Sequence, residues 1–247
     1  MGRIVTLLEI HELTKRFAGL AAVRDFTMEV NQGEIVGLIG PNGAGKTTVF
    51  NLITGFLPPT NGGIVFRESS IVGRKPFEIC KLGIGRTFQL ARPFQGITVL
   101  ENVLIGAFNR HKDVHEARKE TDKILEMVGL YSKKDFLAKE LTAEDQKRLE
   151  LAKALATKPE LLLLDEVMGG LNETEILSVI ELLRQLGEMG MTLLVIEHVM
   201  SAIMALCHRN IVIHHGEKIA QGTPNEIAND EGVIKAYLGR GYRLASS

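Results

Sequence analysis

The residues with the clearest chemistry form one stretch, residues 40–48, which reads Gly-Pro-Asn-Gly-Ala-Gly-Lys-Thr-Thr. Its glycines let the backbone curl so that successive N–H groups point toward a bound anion. The Lys46 ammonium would reach the β- and γ-phosphates of a nucleotide, and the Thr47 hydroxyl would bind Mg²⁺. The residues predicted to bind phosphate are Gly40, Pro41, Asn42, Gly43, Ala44, Gly45, Lys46, Thr47 and Thr48.

The segments on either side of this stretch are those that a phosphate-binding loop requires. Residues 34–39 form a short apolar run typical of a buried strand, and residues 49–53 continue as a helix. A strand, a glycine-rich turn and a helix in this order place the positive end of the helix dipole beside the phosphates. This context favours a nucleotide site over a glycine turn without a ligand.

A second candidate is the acid pair Asp165 and Glu166, which follows the apolar run at residues 161–164. Ligands of open α/β sheets bind at the carboxyl ends of strands, so we expect this pair beside the loop. Asp165 would hold Mg²⁺ through its water shell, and Glu166 would orient and deprotonate the attacking water. Alone, the pair would more often cap a turn; with Lys46 and Thr47 present, a catalytic role is the better interpretation.

These residues need a sheet to bring them together, and the remaining pattern predicts one. Residues 1–88 and 157–247 alternate apolar strands with helices, which predicts a largely parallel sheet covered on both faces. The first strands, residues 7–10 and 26–30, should form an N-terminal antiparallel β subdomain. Residues 89–156 read as an inserted α-helical subdomain. We therefore expect a single α/β domain that includes all 247 residues.

The composition argues against several classes of protein. The net charge of −1 gives no basis for bulk electrostatic binding of nucleic acid or of anionic membranes. Cys80 and Cys207 are far apart and match no metal-binding spacing. No apolar run approaches the ~20 residues that span a bilayer, and residues 1–3 lead into a strand pattern rather than a signal peptide. If the protein acts at a membrane, another chain must hold it there.

Taken together, these motifs resemble those of the ATP-binding-cassette (ABC) ATPases, over nearly the whole chain and in the family's order. The resemblance implies a P-loop NTPase (RecA-like) fold, ATP and Mg²⁺ as cofactors, and ATP hydrolysis coupled to transport. It also implies roles for three further residues. Gln89 corresponds to a hinge glutamine that contacts Mg²⁺ and water, His198 to a switch histidine at the γ-phosphate, and Phe17 to an aromatic ring that stacks on adenine.

Within this family, the chain is most similar to the nucleotide-binding subunits of branched-chain amino acid importers. The similar features are residues 85–89, 98–103 and 236–239, although lipopolysaccharide exporters share part of the last segment. The resemblance implies integral membrane permease subunits, a second ABC ATPase subunit in a hetero- or homodimer, indirectly a solute-binding protein, and a location at the cytoplasmic face of the cell membrane. A groove beside Gln89, lined by residues such as Phe94, would dock the permease.

The chain departs from the family at the signature motif, where Leu-Thr-Ala-Glu-Asp (residues 141–145) replaces Leu-Ser-Gly-Gly-Gln. Thr142 keeps a hydroxyl that would contact the phosphate bound by a partner subunit. Asp145 is expected to complete a capping box with Thr142, and Glu144 to pair with Arg148. Two carboxylates at this helix start would repel phosphate. The sequence therefore predicts a weak partner for a neighbour's ATP.

Three functions stay open at this point. The first is the energising subunit of an importer, or of another transporter such as a lipopolysaccharide exporter. The second is a soluble ABC protein acting on DNA or ribosomes, which would need a coiled coil, a second cassette or a basic face that the sequence does not show. The third is a nucleotide-binding subunit with weak or no hydrolysis, which the altered signature keeps open.

Overall fold

Ten strands, nine α-helices and two short 3₁₀ helices make up the described part of this computed structural model, which covers residues 5–89 and 93–238. The strands are β1 (Thr6–Phe17), β2 (Leu20–Asn31), β3 (Ile35–Ile39), β4 (Asn61–Phe66), β5 (Ser69–Ser70), β6 (Ile84–Arg86), β7 (Leu161–Asp165), β8 (Thr192–Ile196), β9 (Arg209–His214) and β10 (Glu217–Gly222). The helices are α1 (Lys46–Ile53), α2 (Pro76–Leu82), α3 (Val99–Ala107), α4 (Val114–Met127), α5 (Ala143–Ala156), α6 (Glu173–Glu188), α7 (Met200–Leu206), α8 (Pro224–Ala228) and α9 (Glu231–Leu238). The sequence features noted at residues 1–3 and at Gly239 lie outside the described ranges.

The strands form two sheets. The smaller sheet has the order β2-β1-β4-β5, and its paired strands are antiparallel. The larger sheet has the order β10-β9-β3-β8-β7-β6, and it is parallel except for the pairing of β9 with β10. Because β3 lies next to β8, and β8 next to β7, the residues that follow β3, β7 and β8 meet at one edge.

The central strands are buried on both faces. All five residues of β3, β7 and β8 are buried, since helices cover both sides of a parallel sheet. Alternate side chains enter two separate cores: Val36 and Leu38 pack with Phe50 of α1, whereas Ile35 and Ile39 pack on the opposite side with residues such as Leu183. This double burial makes the sheet a rigid base for the loops at its edge.

The antiparallel hairpin is longer than the sequence predicted. The prediction ended the first strand at Ile10, but β1 continues to Phe17 and pairs with β2 along its length. The second half of β1 was not recognised as a strand because it contains charged and exposed residues. Shifts in register also interrupt its alternation of buried and exposed positions. Two residues near these shifts, Glu12 and Asp25, have positive φ angles of 46° and 44°.

Helices α3, α4 and α5 lie between β6 and β7 in the chain and pack on one another. Thr98 caps α3 as predicted and forms a capping box with Glu101. The approach of α3 to α5 depends on Gly106, because a Cβ there would lie 2.6 Å from the carbonyl oxygen of Lys153. Among the described residues, no helix has both the length and the apolar character that crossing a bilayer requires.

Candidate functional site

The loop between β3 and α1 has the backbone that its glycines predicted. Gly40, Gly43 and Gly45 have φ angles of 154°, 76° and 112°, which side chains other than glycine rarely adopt. A Cβ on Gly40 would lie 2.0 Å from the carbonyl oxygen of Ile213, and one on Gly45 would lie 2.6 Å from that of Ala22. The loop is therefore held closely between β9 and the hairpin strand β2.

Lys46, the first residue of α1, is buried within this loop. Its ammonium donates hydrogen bonds to the carbonyl oxygens of Gly40 (2.6 Å) and Pro41 (3.0 Å). Burial lowers the pKa of Lys46 below its ordinary value, and the nearby charges of Glu166 and Asp165 oppose this shift. The lysine charge thus lies at the centre of the predicted phosphate site.

Asp165 is the last residue of β7 and is almost fully buried, with a relative exposure of 1%. Arg86 donates a hydrogen bond to its Oδ2 atom at 2.8 Å, and its backbone N–H donates to the Thr87 hydroxyl at 3.1 Å. Its Oδ1 atom is buried and has no hydrogen-bond partner in the part of the chain that the structure describes. Burial raises the pKa of Asp165, and the hydrogen bond and charge of Arg86 oppose this rise.

The three residues predicted to be catalytic are in contact, with Glu166 between Gln89 and His198. Gln89 Nε2 donates to Glu166 Oε2 at 2.6 Å, and His198 Nε2 lies 2.5 Å from Oε1. The backbone of Glu166 has a φ angle of +54°, and its N–H donates to the carbonyl oxygen of Ile196. Such left-handed backbone in a residue other than glycine is costly and concentrates at functional sites. It turns the glutamate away from the direction of β7 toward Gln89 and His198.

Two side chains that the sequence analysis missed hold the loop after Glu166. Glu197 is buried and accepts a hydrogen bond from the Met168 N–H at 2.7 Å; burial raises the pKa of this glutamate. Lys147 of α5 donates a hydrogen bond to the Gly169 carbonyl oxygen. The position of Glu197 directly before His198 was the one available signal for its role.

The three residues predicted to bind Mg²⁺ line a single cavity. Thr47, Gln89 and Asp165 all face a space of about 770 Å³. The same space extends into an apolar groove with a different set of side chains from those expected. The groove is lined by Phe56, Phe77, Ile79, Cys80, Phe88, Lys153 and Ala154. Phe94 is not part of this lining; its ring lies 5.4 Å from the Lys153 ammonium, beside the groove.

Phe17 and Thr142 are among the predicted site residues that do not line this cavity. Phe17 is exposed at the end of β1, with the Lys15 ammonium 5.2 Å from its ring centroid. The hairpin that carries Phe17 contacts the phosphate loop where Ala22 meets Gly45. Thr142 is the N-cap of α5 and does not line the cavity of Asp165.

The start of α5 corrects one expectation. The Thr142 hydroxyl accepts the Asp145 N–H at 3.2 Å, but the Asp145 carboxylate does not close the capping box. It pairs instead with Lys133 at 2.5 Å, because that ammonium reaches the mostly buried carboxylate. Glu144 pairs with Arg148 at 2.9 Å, as predicted. Each of the two added charges therefore has a cation beside it.

Comparisons with known proteins decide the family. A family model described as ABC transporter matches residues 23–169, and one described as branched-chain amino acid ATP-binding cassette transporter matches residues 217–243. The chain belongs to the ABC transporter family. The cassette is thus an ATPase of a transport-coupled family, and the predicted P-loop fold class is confirmed.

Similar proteins cover the cassette almost completely. The high-affinity branched-chain amino acid transport ATP-binding protein LivG of Salmonella typhimurium is 41% identical, over 94% of this chain and 98% of LivG. The lipopolysaccharide export system ATP-binding protein LptB of Escherichia coli is 33% identical, over 96% of this chain and 99% of LptB. The ADP conformation of MJ1267, an ATP-binding cassette of an ABC transporter, superimposes with a TM-score of 0.87 at 30% identity, over 96% and 100%. Dimeric MJ0796, a bacterial ABC transporter cassette, gives 0.81 at 25% identity, over 88% and 99%.

Proposed function

We propose that the cassette is the ATP-hydrolysing subunit of an importer for branched-chain or other amino acids. The observation that carries the enzymatic role is Glu166, whose two carboxylate oxygens contact Gln89 and His198 at the edge that also bears Lys46. The identity to LivG and the family match over residues 217–243 support amino acid import over lipopolysaccharide export.

Each site residue has a distinct role in this proposal. The loop N–H groups and Lys46 bind the nucleotide phosphates, and Phe17 stacks on adenine. Glu166 orients the attacking water and accepts its proton. His198 contacts the γ-phosphate and, with Gln89, keeps the Glu166 carboxylate in its working orientation.

Thr47, Gln89 and Asp165 are the residues that would hold Mg²⁺. The fit rests on Asp165, because its buried Oδ1 atom has no hydrogen-bond partner among the described residues while its Oδ2 atom is bound by Arg86. Carboxylate, amide and hydroxyl oxygens are the donors that this hard cation prefers. When bound, Mg²⁺ neutralises the negative charge that develops on the transferred phosphoryl group.

The transport role requires other chains. We infer that integral membrane permease subunits dock in the groove that contains Phe56, Phe77 and Phe88, and so hold the cassette at the cytoplasmic face of the membrane. Two cassettes would close around two ATP molecules, with Thr142 facing the partner's nucleotide. A solute-binding protein would deliver the amino acid to the permease. Closure and hydrolysis would then alternate the state of the permease.

A second candidate function follows from the start of α5. Glu144 and Asp145 stand where the family has glycine and glutamine, beside the Thr142 cap. In a heterodimer, the intact Lys46 site could face a standard signature on another subunit, while this altered signature would serve the partner poorly. The cassette alone would then bind ATP but hydrolyse it slowly.

Purification from detergent-solubilised host membranes tests the proposed function. A tagged cassette should co-purify with integral membrane proteins, and the complex should hydrolyse ATP faster when a solute-binding protein and leucine, isoleucine or valine are added. Purification without any integral membrane protein would favour a function away from the membrane. Stimulation by lipopolysaccharide rather than by amino acids would support export instead.

A further inference from the structure

Arg86 is a buried cation at the edge of the proposed Mg²⁺ site. It is the last residue of β6, and its side chain is 7% exposed. Its Nη2 atom donates to Asp165 Oδ2 at 2.8 Å, while Nη1 donates to Asn51 Oδ1 at 2.7 Å and to the Thr54 hydroxyl at 3.3 Å. The residue thus connects β6, helix α1 with its C-terminal cap Thr54, and the metal-side carboxylate.

Aromatic rings and strand pairing hold this guanidinium further. Its central carbon lies 5.5 Å from the Phe50 ring centroid and 5.2 Å from that of Phe88, within the range of cation–π attraction. The backbone of Arg86 pairs with Leu163 of β7, two residues before Asp165. The planar group therefore has little freedom to follow Asp165 if the carboxylate turns.

The ion pair is arranged so that one carboxylate oxygen stays free. Arginine and carboxylate commonly pair through two parallel hydrogen bonds, which occupy both oxygens. Here Nη1 turns to Asn51 and Thr54 instead, and both Arg86 Nε and Asp165 Oδ1 are buried without a hydrogen-bond partner among the described residues. Asp165 faces the cavity that Thr47 and Gln89 also line. A pair serving stability alone gains nothing from leaving these two atoms unpaired.

We propose that Arg86 is the positioning residue of the Mg²⁺ site: it fixes Oδ2 of Asp165 and thereby keeps Oδ1 available to the hydrated metal. This inference rests on the proposed function, because it assumes that Asp165 serves Mg²⁺. Asn51 and Thr54, which accept hydrogen bonds from Arg86 Nη1, contribute to this positioning. They hold Nη1 and so fix the orientation in which the guanidinium meets Asp165, with a single hydrogen bond to Oδ2.

The test compares Arg86→Met with Arg67→Met. Arg67 is a matched control, since it forms a 2.9 Å ion pair with Glu160, directly before β7, yet both side chains are about half exposed. Binding of the non-hydrolysable analogue AMP-PNP is measured by calorimetry, first in EDTA and then during a Mg²⁺ titration. In Arg86→Met, the Mg²⁺ concentration that gives half of the maximal increase in AMP-PNP affinity should rise about 10- to 100-fold. Losses of this size are usual when a residue that orients a metal ligand is replaced. Binding in EDTA should be unchanged, and Arg67→Met should match the wild type.

Each outcome separates the inference from the proposed function. An unchanged Mg²⁺ titration in Arg86→Met overturns the inference, and so does an equal loss of binding with and without Mg²⁺, which would indicate a purely structural role. Absence of any Mg²⁺ effect in the wild type contradicts the proposed metal site itself. If Arg86→Met does not fold, Arg86→Lys carries the test: it keeps the charge but loses the fork that binds Asp165, Asn51 and Thr54 together. Its titration should fall between those of the wild type and Arg86→Met.

Discussion

The backbone of Glu166 has an energetically unfavourable left-handed conformation, and both oxygens of its carboxylate contact a neighbouring side chain. Its φ angle of +54° directs the carboxylate to Gln89 Nε2 and His198 Nε2, at 2.6 Å and 2.5 Å. A glutamine at this position has nearly the same shape and the same backbone cost. Replacement by glutamine therefore separates the loss of the proposed general base from any change in folding.

We expect Glu166→Gln to reduce ATP turnover by about 100- to 10 000-fold, the usual contribution of a general base. The dissociation constant for ATP should change little, because Lys46 and the loop N–H groups are untouched. Steady-state ATPase assays and equilibrium binding on the same preparation check both parts. Turnover near the wild-type rate would show that another group activates the water.

The backbone of Gly45 makes a similar prediction for the phosphate loop. Gly45→Ala places a Cβ 2.6 Å from the Ala22 carbonyl oxygen at a φ angle of 112°, so the free energy of unfolding should fall by about 1–3 kcal/mol. ATP binding should weaken as the loop shifts. Gly19→Ala is the control, because a Cβ there meets nothing within 4 Å and the φ angle is ordinary. Urea denaturation of the two variants should separate them clearly.

At the scale of elements, the sequence predicted those features that one segment encodes by itself. The strand, glycine turn and helix around Lys46 are set by local spacing, and so is the Thr98 cap of α3. Arg86 and Asp165 are 79 residues apart in the sequence, and they meet because β6 pairs with β7. Spacing within one segment could not reveal this contact. The pairing of Asp145 with Lys133 was missed for a different reason: the local spacing favoured a capping box, and nothing in it indicated a cation 12 residues earlier.

The altered residues at the start of α5 lead to a prediction about ATP turnover. Replacing residues 143–145 with Gly-Gly-Gln removes both carboxylates and frees backbone N–H groups for a partner's phosphate. Turnover by the isolated cassette should rise by about tenfold, which corresponds to about 1.4 kcal/mol. The gain is limited because Lys133 and Arg148 already offset the two charges.

ATP-dependent dimerisation provides the second measurement for this variant. In a Glu166→Gln background, analytical ultracentrifugation with ATP should detect more dimer for the Gly-Gly-Gln variant than for the parent chain. Vigorous turnover and dimerisation by the parent chain would contradict a weak signature, and would favour a homodimer with two equivalent sites.

At the scale of the whole molecule, the nucleotide edge and the apolar groove are parts of one space. Thr47 and Asp165 line this space, and so do Phe56 and Phe77. Phe88 lines the groove, forms an edge-to-face contact with Phe56 at 5.8 Å and lies near the Arg86 guanidinium. A partner seated in the groove would therefore touch Phe88, which lies against the arginine that binds Asp165.

The two cysteines of the chain differ in a way that makes this groove observable. Cys207 is buried, which raises the pKa of its thiol to about 12, whereas Cys80 is half-buried and lines the groove. A thiol-reactive fluorophore should attach once per chain, at Cys80, since only a thiolate reacts readily. Peptide mass mapping checks the position, and labelling of Cys207 would contradict the expectation. The native protein thus carries its own attachment point for a spectroscopic reporter, and protection of that thiol would register the arrival of a permease without any engineered substitution.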